Sequence, residues 1–241
     1  MLKLLLGRAG TGKTRALLEA MAAGDGRPQI LIVPEQHSHS MERQLCAIGG
    51  SRVSLFAEVL SFTRLANRVF SVYGGLAAPA LDGGGRLLLL CAALKSVAPE
   101  LRVYQRPSRK PAFLSGLLAT VDELKTCRIT PEQLWTAGEE SGGGEGDKLR
   151  DLSLIYGAYE AMTARQGADP RDRLTRLAEA LTREDWAAGK DFYLDAFTDF
   201  TPQERAVLST LLGKANSVTV ALTCDKLEED EGGAGIFSPA R

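Results

Sequence analysis

A chain of 241 residues is long enough for one large domain or two modest ones, and 44% hydrophobic residues can build a real core. With 30 acidic side chains against 29 basic ones the net charge is -1, so no global basic field marks a nucleic-acid binder; any such contact must come from local patches. No apolar run approaches membrane-spanning length, no signal peptide is evident, and Cys46, Cys91, Cys127 and Cys224 form no C-x-x-C pair, which points to reduced thiols, no membrane and the cytoplasm.

The chain opens on Leu2–Leu6, an apolar run broken only by Lys3, which ends at a glycine-rich turn and runs into a helical pattern from Lys13. Gly7, Gly12, Lys13 and Thr14 stand at the G-x-x-x-x-G-K-[ST] spacing of a phosphate-binding loop. The chemistry needs these types. Glycines let backbone N–H groups curl around a phosphate, and the following helix turns its positive end to the same anion. Gly7, Arg8, Ala9, Gly10, Thr11, Gly12, Lys13 and Thr14 are therefore the candidate ATP-binding residues. Lys13 is expected to reach the β- and γ-phosphates, and the Thr14 hydroxyl to sit on Mg²⁺.

Gln29–Val33 reads as a buried parallel strand ending at Pro34-Glu35-Gln36, and residues past such a strand face the ligand side of a sheet. A helix follows from Ser40, an extended stretch over Arg52–Leu60, and an amphipathic helix from Ser61 with Leu65, Val69 and Val72 on one side. From Gly83 to Gly189 the pattern is all helix. Phe113, Leu117, Val121 and Leu124 form one stripe, and Leu149, Leu152, Ile155, Tyr159 and Met162 another. Thr130-Pro-Glu-Gln and Thr201-Pro-Gln-Glu are capping boxes, Asp169-Pro170 caps a helix through Leu181, and glycine-rich Ser141–Gly146 reads as a flexible loop. Strands return at Asp191–Phe197 and Ser217–Leu222, and acidic Glu228–Glu231 reads as a solvated loop. The last strand has no helix to return along, so the chain is expected to be the N-terminal piece of something longer. The fold expected is α/β: a RecA-like P-loop NTPase sheet, of the type of domain 1A in UvrD-type helicases, with a large helical insertion. Residues 1–80 and 190–241 make the discontinuous sheet domain, and 81–189 the insertion, comparable to domain 1B.

A P-loop needs an acid at the end of a neighbouring strand for its Mg²⁺. Phe192-Tyr-Leu-Asp195 supplies it, making Asp195 the second metal candidate beside Thr14. In UvrD-type helicases this strand ends D-E-F-Q-D; here it reads Asp195-Ala-Phe-Thr-Asp199, with Ala196 where the water-activating glutamate belongs. No catalytic residue is therefore assigned, Asp199 and Glu204 being weak substitutes. Leu60-Ser-Phe-Thr-Arg-Leu-Ala resembles the segment with which those helicases touch single-stranded DNA, and Pro34-Glu-Gln36 lies where their second DNA-contact motif falls. Gln36, Ser61, Phe62 and Arg64 are thus DNA-contact candidates. The glutamine that should follow Asp225 is missing, and Met1 leaves no room for an upstream adenine-reading glutamine.

LGRAGTGKT, IVPEQ with ER following, VLSFTRLANRV, LDGGGR, DELK, KLRDLSLIY and above all DAFTDFTPQERAVL with VTVALT resemble the AddB family, the second subunits of AddAB ATP-dependent helicase/nucleases. The resemblance implies an N-terminal helicase-like region that binds ATP and Mg²⁺, pairs with an AddA-type subunit, and takes part in processing double-strand DNA breaks for recombinational repair. It also implies a C-terminal nuclease domain with an iron–sulfur cluster outside this chain, Chi recognition, and a motor housed in the partner. The family usually has Gly where Ala196 stands. Two other readings remain: a small-molecule kinase, which closes its sheet sooner and carries an arginine-bearing lid, and a scaffold whose P-loop is vestigial.

Overall fold

The computed structural model describes residues 1–77, 79–105 and 111–224, with backbone alone at Pro111. Among the described residues five strands form one parallel sheet: β1 (Leu2–Gly7), β2 (Gln29–Ile32), β3 (Ala57–Leu60), β4 (Asp191–Leu194) and β5 (Ser217–Thr223), in the order β1-β5-β4-β2-β3. Parallel pairing demands a crossover after each strand, and these crossovers bury central strand β2 on both faces, while Leu2, Lys3 and Leu4 of edge strand β1 are exposed. Alternation along β2 divides the core. Leu31 and Val33 join Leu17, Leu18 and Met21 of α1 (Lys13–Ala22) and Met41 and Leu45 of α2 (Ser38–Gly49). Ile30 and Ile32 point the other way, to Leu65 and Val69 of α3 (Phe62–Tyr73), Leu177 and Leu181 of α8 (Arg173–Arg183), and Val207 and Leu211 of α9 (Pro202–Lys214).

The chain divides into two compact units, Met1–Gly74 with Leu174 onward, and Gly75–Arg173. The helical block therefore ends before residue 189: α8 lies in the core of the sheet, because its apolar face is the one that covers Phe192 and Leu194. The helical unit consists of α4 (Gly83–Val97), α5 (Pro111–Thr126), α6 (Pro131–Ser141) and α7 (Gly143–Gln166). Its core holds Leu90, Leu94, Leu117, Val121, Ile155 and Tyr159, so both expected stripes do pack inward.

Both capping boxes are formed, Thr130 with Gln133 and Thr201 with Glu204. The glycine-rich Ser141–Gly146 stretch is a helix junction: only Gly142, at φ 63°, interrupts α6 and α7. Gly146 serves close packing, since a Cβ on it would run into the Gly138 carbonyl oxygen and one on Gly138 would lie 2.9 Å from the Gly146 carbonyl oxygen, whereas Gly142, Gly143 and Gly144 have open space beside them. Val53–Leu55 forms a 3-10 turn, so only Ala57–Leu60 of the expected stretch is strand, and Val72 is exposed while Phe62, Ala66 and Phe70 are buried. Asp169 caps a 3-10 turn, Pro170–Asp172, ahead of α8. Asp225, Lys226, Glu228–Glu231 and the chain beyond lie outside the described residues.

A buried ionic cluster sets the helical unit. Arg86 on α4 pairs with Asp122 on α5 and, at 3.0 Å, with Asp169. Lys125 on α5 reaches Asp172 at 2.7 Å, Glu160 at 2.5 Å and Asp169 at 3.4 Å. The Tyr159 hydroxyl donates to Asp169 at 2.8 Å. Burial alone would lower the Lys125 pKa, but Asp172 and Glu160 outweigh it and the ammonium is held well above its ordinary value.

Candidate functional site

β1 ends at Gly7 and the chain turns through Arg8–Gly12 before α1 begins. Gly10 and Gly12, at φ 79° and 83°, occupy the left-handed region that glycine enters without a Cβ penalty. A Cβ on Gly7 would lie 2.6 Å from Thr11 Oγ1, whose hydroxyl donates to the Arg8 carbonyl at 2.8 Å. Lys13 Nζ donates to the carbonyl oxygens of Gly7 at 2.7 Å and Arg8 at 2.9 Å. The Cys224 N–H, just past β5, donates to Gly7 O at 3.2 Å and moors the loop to the neighbouring strand. Arg8, Ala9, Gly10, Thr11 and Gly12 are exposed; Lys13 and Thr14 are half-buried. No side chain caps α1, with Gly12 at its N-cap, so the first-turn N–H groups remain for an anion.

Asp195 stands one residue beyond β4 and is 4% exposed. Its Oδ1 accepts the Ala196 N–H at 2.8 Å, whereas Oδ2 is buried without a hydrogen-bond partner. A buried carboxylate oxygen left so is costly, and a hydrated divalent cation is the kind of group that satisfies it. Ala196 is held at φ 64°, a conformation that costs a residue with a Cβ about 1–2 kcal/mol. β5 alone separates β1 from β4, and Leu4 and Leu194 both pair with Val220, so Asp195 stands two strand spacings, about 10 Å, to the side of Leu5, with the loop starting two residues further along the same end of the sheet. The two nearby carboxylates are engaged in the fold. Asp199 accepts the Phe200 N–H and an Arg205 N–H, and Glu204 accepts the Thr201 N–H and hydroxyl.

Along the same edge, Ile32 pairs with both Leu60 and Leu194, so the residues that follow β2, β3 and β4 stand in one row. Ser61 is buried and its hydroxyl caps α3 by accepting the Arg64 N–H at 3.2 Å. Phe62 is buried against Phe197, ring centroids 5.6 Å apart and edge-on, and Phe197 meets Phe200 at 4.9 Å. Of the four DNA-contact candidates, only Gln36 and Arg64 present exposed side chains.

The model of the family described as ADDB, N-terminal, matches residues 4–241. The chain belongs to the AddB family. Its relatives include proteins named as the B subunit of an ATP-dependent helicase/deoxyribonuclease, from Desulforudis audaxviator (41% identical over 93% of this chain and 20% of the relative), Pelotomaculum thermopropionicum (38%, over 100% and 22%) and Thermoanaerobacter sp. (36%, over 98% and 21%). The chain thus spans about a fifth of the length of these relatives.

Two features of this AddB chain are not legible in its sequence motifs. One is the ring contact between Phe62 and Phe197, which nothing local to either residue announces. The other is the left-handed backbone at Ala196, a conformation that an alanine does not announce. No helix among the described residues is long and apolar enough to cross a membrane.

Proposed function

We propose that this chain is the ATP- and Mg²⁺-binding, helicase-like N-terminal region of the second subunit of an AddAB-type helicase/nuclease, and that it works in the cytoplasm with an AddA-type subunit on broken DNA ends. The observation that carries the reading is the pairing, on one sheet edge, of the Gly7–Thr14 loop with the buried Asp195, one of whose carboxylate oxygens has no partner. These residues fit the group. Loop N–H groups and Lys13 would hold the β- and γ-phosphates; Thr14 and Asp195 would hold Mg²⁺ and its water. When bound, Mg²⁺ neutralises charge on the phosphate oxygens. In this reading the sheet unit is the P-loop domain, the helical unit is its insertion, and Gln36 and Arg64 face single-stranded DNA.

The same geometry favours nucleotide holding over turnover. Ala196 offers no base, and Asp199 and Glu204 are committed to the start of α9. Loss of a general base alone removes about 10²–10⁴-fold in rate. Nuclease chemistry and any iron–sulfur cluster belong, in this reading, to the remaining four-fifths of the subunit, and the motor to its partner.

The test is ATP–Mg²⁺ binding by the full-length protein with and without Lys13→Ala. Loss of one charge-assisted partner of the phosphates should weaken binding by about 10- to 100-fold. Equal affinity in the two proteins would refute the nucleotide site. A small-molecule kinase is the poorer reading for a chain that spans a fifth of proteins named helicase/deoxyribonuclease subunits.

A further inference from the structure

Asp195, Val33 and Ser61 are the first residues beyond three adjacent strands, β4, β2 and β3. The backbone ties them in a row: Asp195 N–H donates to Ile32 O at 3.2 Å, and Val33 N–H to Leu60 O at 3.0 Å. Across this row the Phe197 ring, two residues past Asp195, meets the Phe62 ring, the first residue of α3. Between Asp195 and Phe197, Ala196 stands in the left-handed region at φ 64°. Phe197 also meets Phe200, whose carbonyl oxygen accepts Arg205 Nε at 2.8 Å and whose N–H is held by Asp199. Phe62 in turn opens the turn whose N–H at Arg64 is capped by Ser61. The loop that carries the metal candidate and the helix end that carries the exposed Arg64 therefore share one ring contact.

We infer that Phe197 is a positioning residue that couples the state of the Asp195 loop to the placement of Arg64, so that nucleotide–Mg²⁺ on this protein changes its affinity for single-stranded DNA. The inference rests on the proposed nucleotide and DNA reading and adds the route between the two. The physical basis is the unpartnered Asp195 Oδ2. A hydrated cation gives that oxygen a partner, which draws on the Asp195–Ala196 backbone. The rigid Phe197 ring, in contact with both Phe62 and Phe200, transmits a displacement that a flexible side chain would absorb. By linkage, DNA must change nucleotide affinity by the same factor that nucleotide changes DNA affinity.

The experiment uses the full-length protein and a fluorescent single-stranded oligonucleotide. Its affinity is measured without nucleotide and with saturating Mg²⁺ and a non-hydrolysable ATP analogue, and nucleotide affinity is measured separately. In wild type the nucleotide should change DNA affinity by about fivefold or more. Phe197→Ala and the milder Phe197→Leu should bring that ratio to within about twofold of unity, leaving each ligand's affinity in the other's absence near wild type; Phe197→Tyr, which keeps the ring, should retain the ratio. A merely structural role would lower stability or both affinities and leave the ratio intact. A wild-type ratio in a folded Phe197→Leu protein, or a ratio of one in wild type while both ligands bind, overturns the coupling. Absence of nucleotide binding in wild type instead overturns the site reading on which it rests.

Discussion

Lys13 Nζ lies 2.7 Å from the carbonyl oxygen of Gly7, so the basic residue of the loop closes on the glycine that starts it. A side chain at Gly7 is obstructed by a different residue of the loop, since a Cβ there would meet Thr11 Oγ1 at 2.6 Å. Gly7→Ala should therefore weaken ATP binding by about tenfold or more through displacement of the loop, with the sheet intact. Adding Thr11→Ala removes the obstructing oxygen and should restore much of the affinity. Isothermal titration of the four proteins in the double-mutant cycle measures the interaction, and strictly additive losses would count against the steric account.

Ala196 holds a conformation that disfavours any Cβ, at a cost of about 1–2 kcal/mol, while glycine brings an unfolded-state entropy cost of about 0.4–1 kcal/mol. Ala196→Gly should thus raise stability by about 0.5–1 kcal/mol, read from the denaturant midpoint at unchanged slope. Ala196→Glu keeps the strain and should not by itself create an ATPase. In a complex whose partner P-loop lysine is mutated, DNA-stimulated ATP hydrolysis should be close to zero. Turnover near wild type there, abolished by adding Lys13→Ala, would show that this site is a motor.

The Arg86–Lys125–Asp169 cluster makes the helical unit sensitive to alkali. Lys125 has a raised pKa, so its contribution is complete below its unfolded value and is lost as pH rises through the folded one. Burial and the Glu160 charge push Tyr156 up to about 12, and burial with the Asp169 hydrogen bond pushes Tyr159 up as well. An unfolded chain releases these phenol protons from about pH 10, so the stability they contribute also falls above that pH. On the acid side the effects oppose each other. Asp169, despite its burial, is held below the usual range by the Arg171 N–H and Lys125, and loses its contribution as pH falls; burial raises Glu160 and Asp172, with the opposite sign. Helical circular dichroism against pH should show stability declining from about pH 10 upward and a shallower acid limb. Lys125→Ala, which strands buried carboxylates, should cost about 3–5 kcal/mol at neutral pH.

Gly146→Ala should destabilise the helical unit by about 1–3 kcal/mol, because the new methyl would strike the Gly138 carbonyl oxygen, which is backbone and has no rotamer to move to. Gly144→Ala, with nothing within 4 Å of the added carbon, should be neutral or stabilising by up to about 1 kcal/mol. Thermal melts of the two variants distinguish close packing from loop flexibility: equal behaviour would support the flexible reading.

What can be read from the sequence alone rests on interactions between near neighbours in the chain. The Gly7–Thr14 spacing, the two capping boxes and the apolar run at β2 act within a few residues, so composition and spacing announce them directly. Asp169 reads as a cap and is one, but its larger role, as counter-ion to Arg86 83 positions away, depends on how α4, α5 and α7 pack. The glycines of 141–146 have the composition of a mobile loop; whether a missing Cβ means freedom or close approach depends on what lies against it, which is the Gly138 backbone at Gly146 and open space at Gly144. Ser61 and Phe62 resemble DNA contacts by motif, and only the fold commits them to a helix cap and a ring contact. That β5 enters between β1 and β4, setting the distance from Lys13 to Asp195, is likewise a matter of strand order, which is decided by which buried faces fit together and leaves no mark in any one stretch of chain.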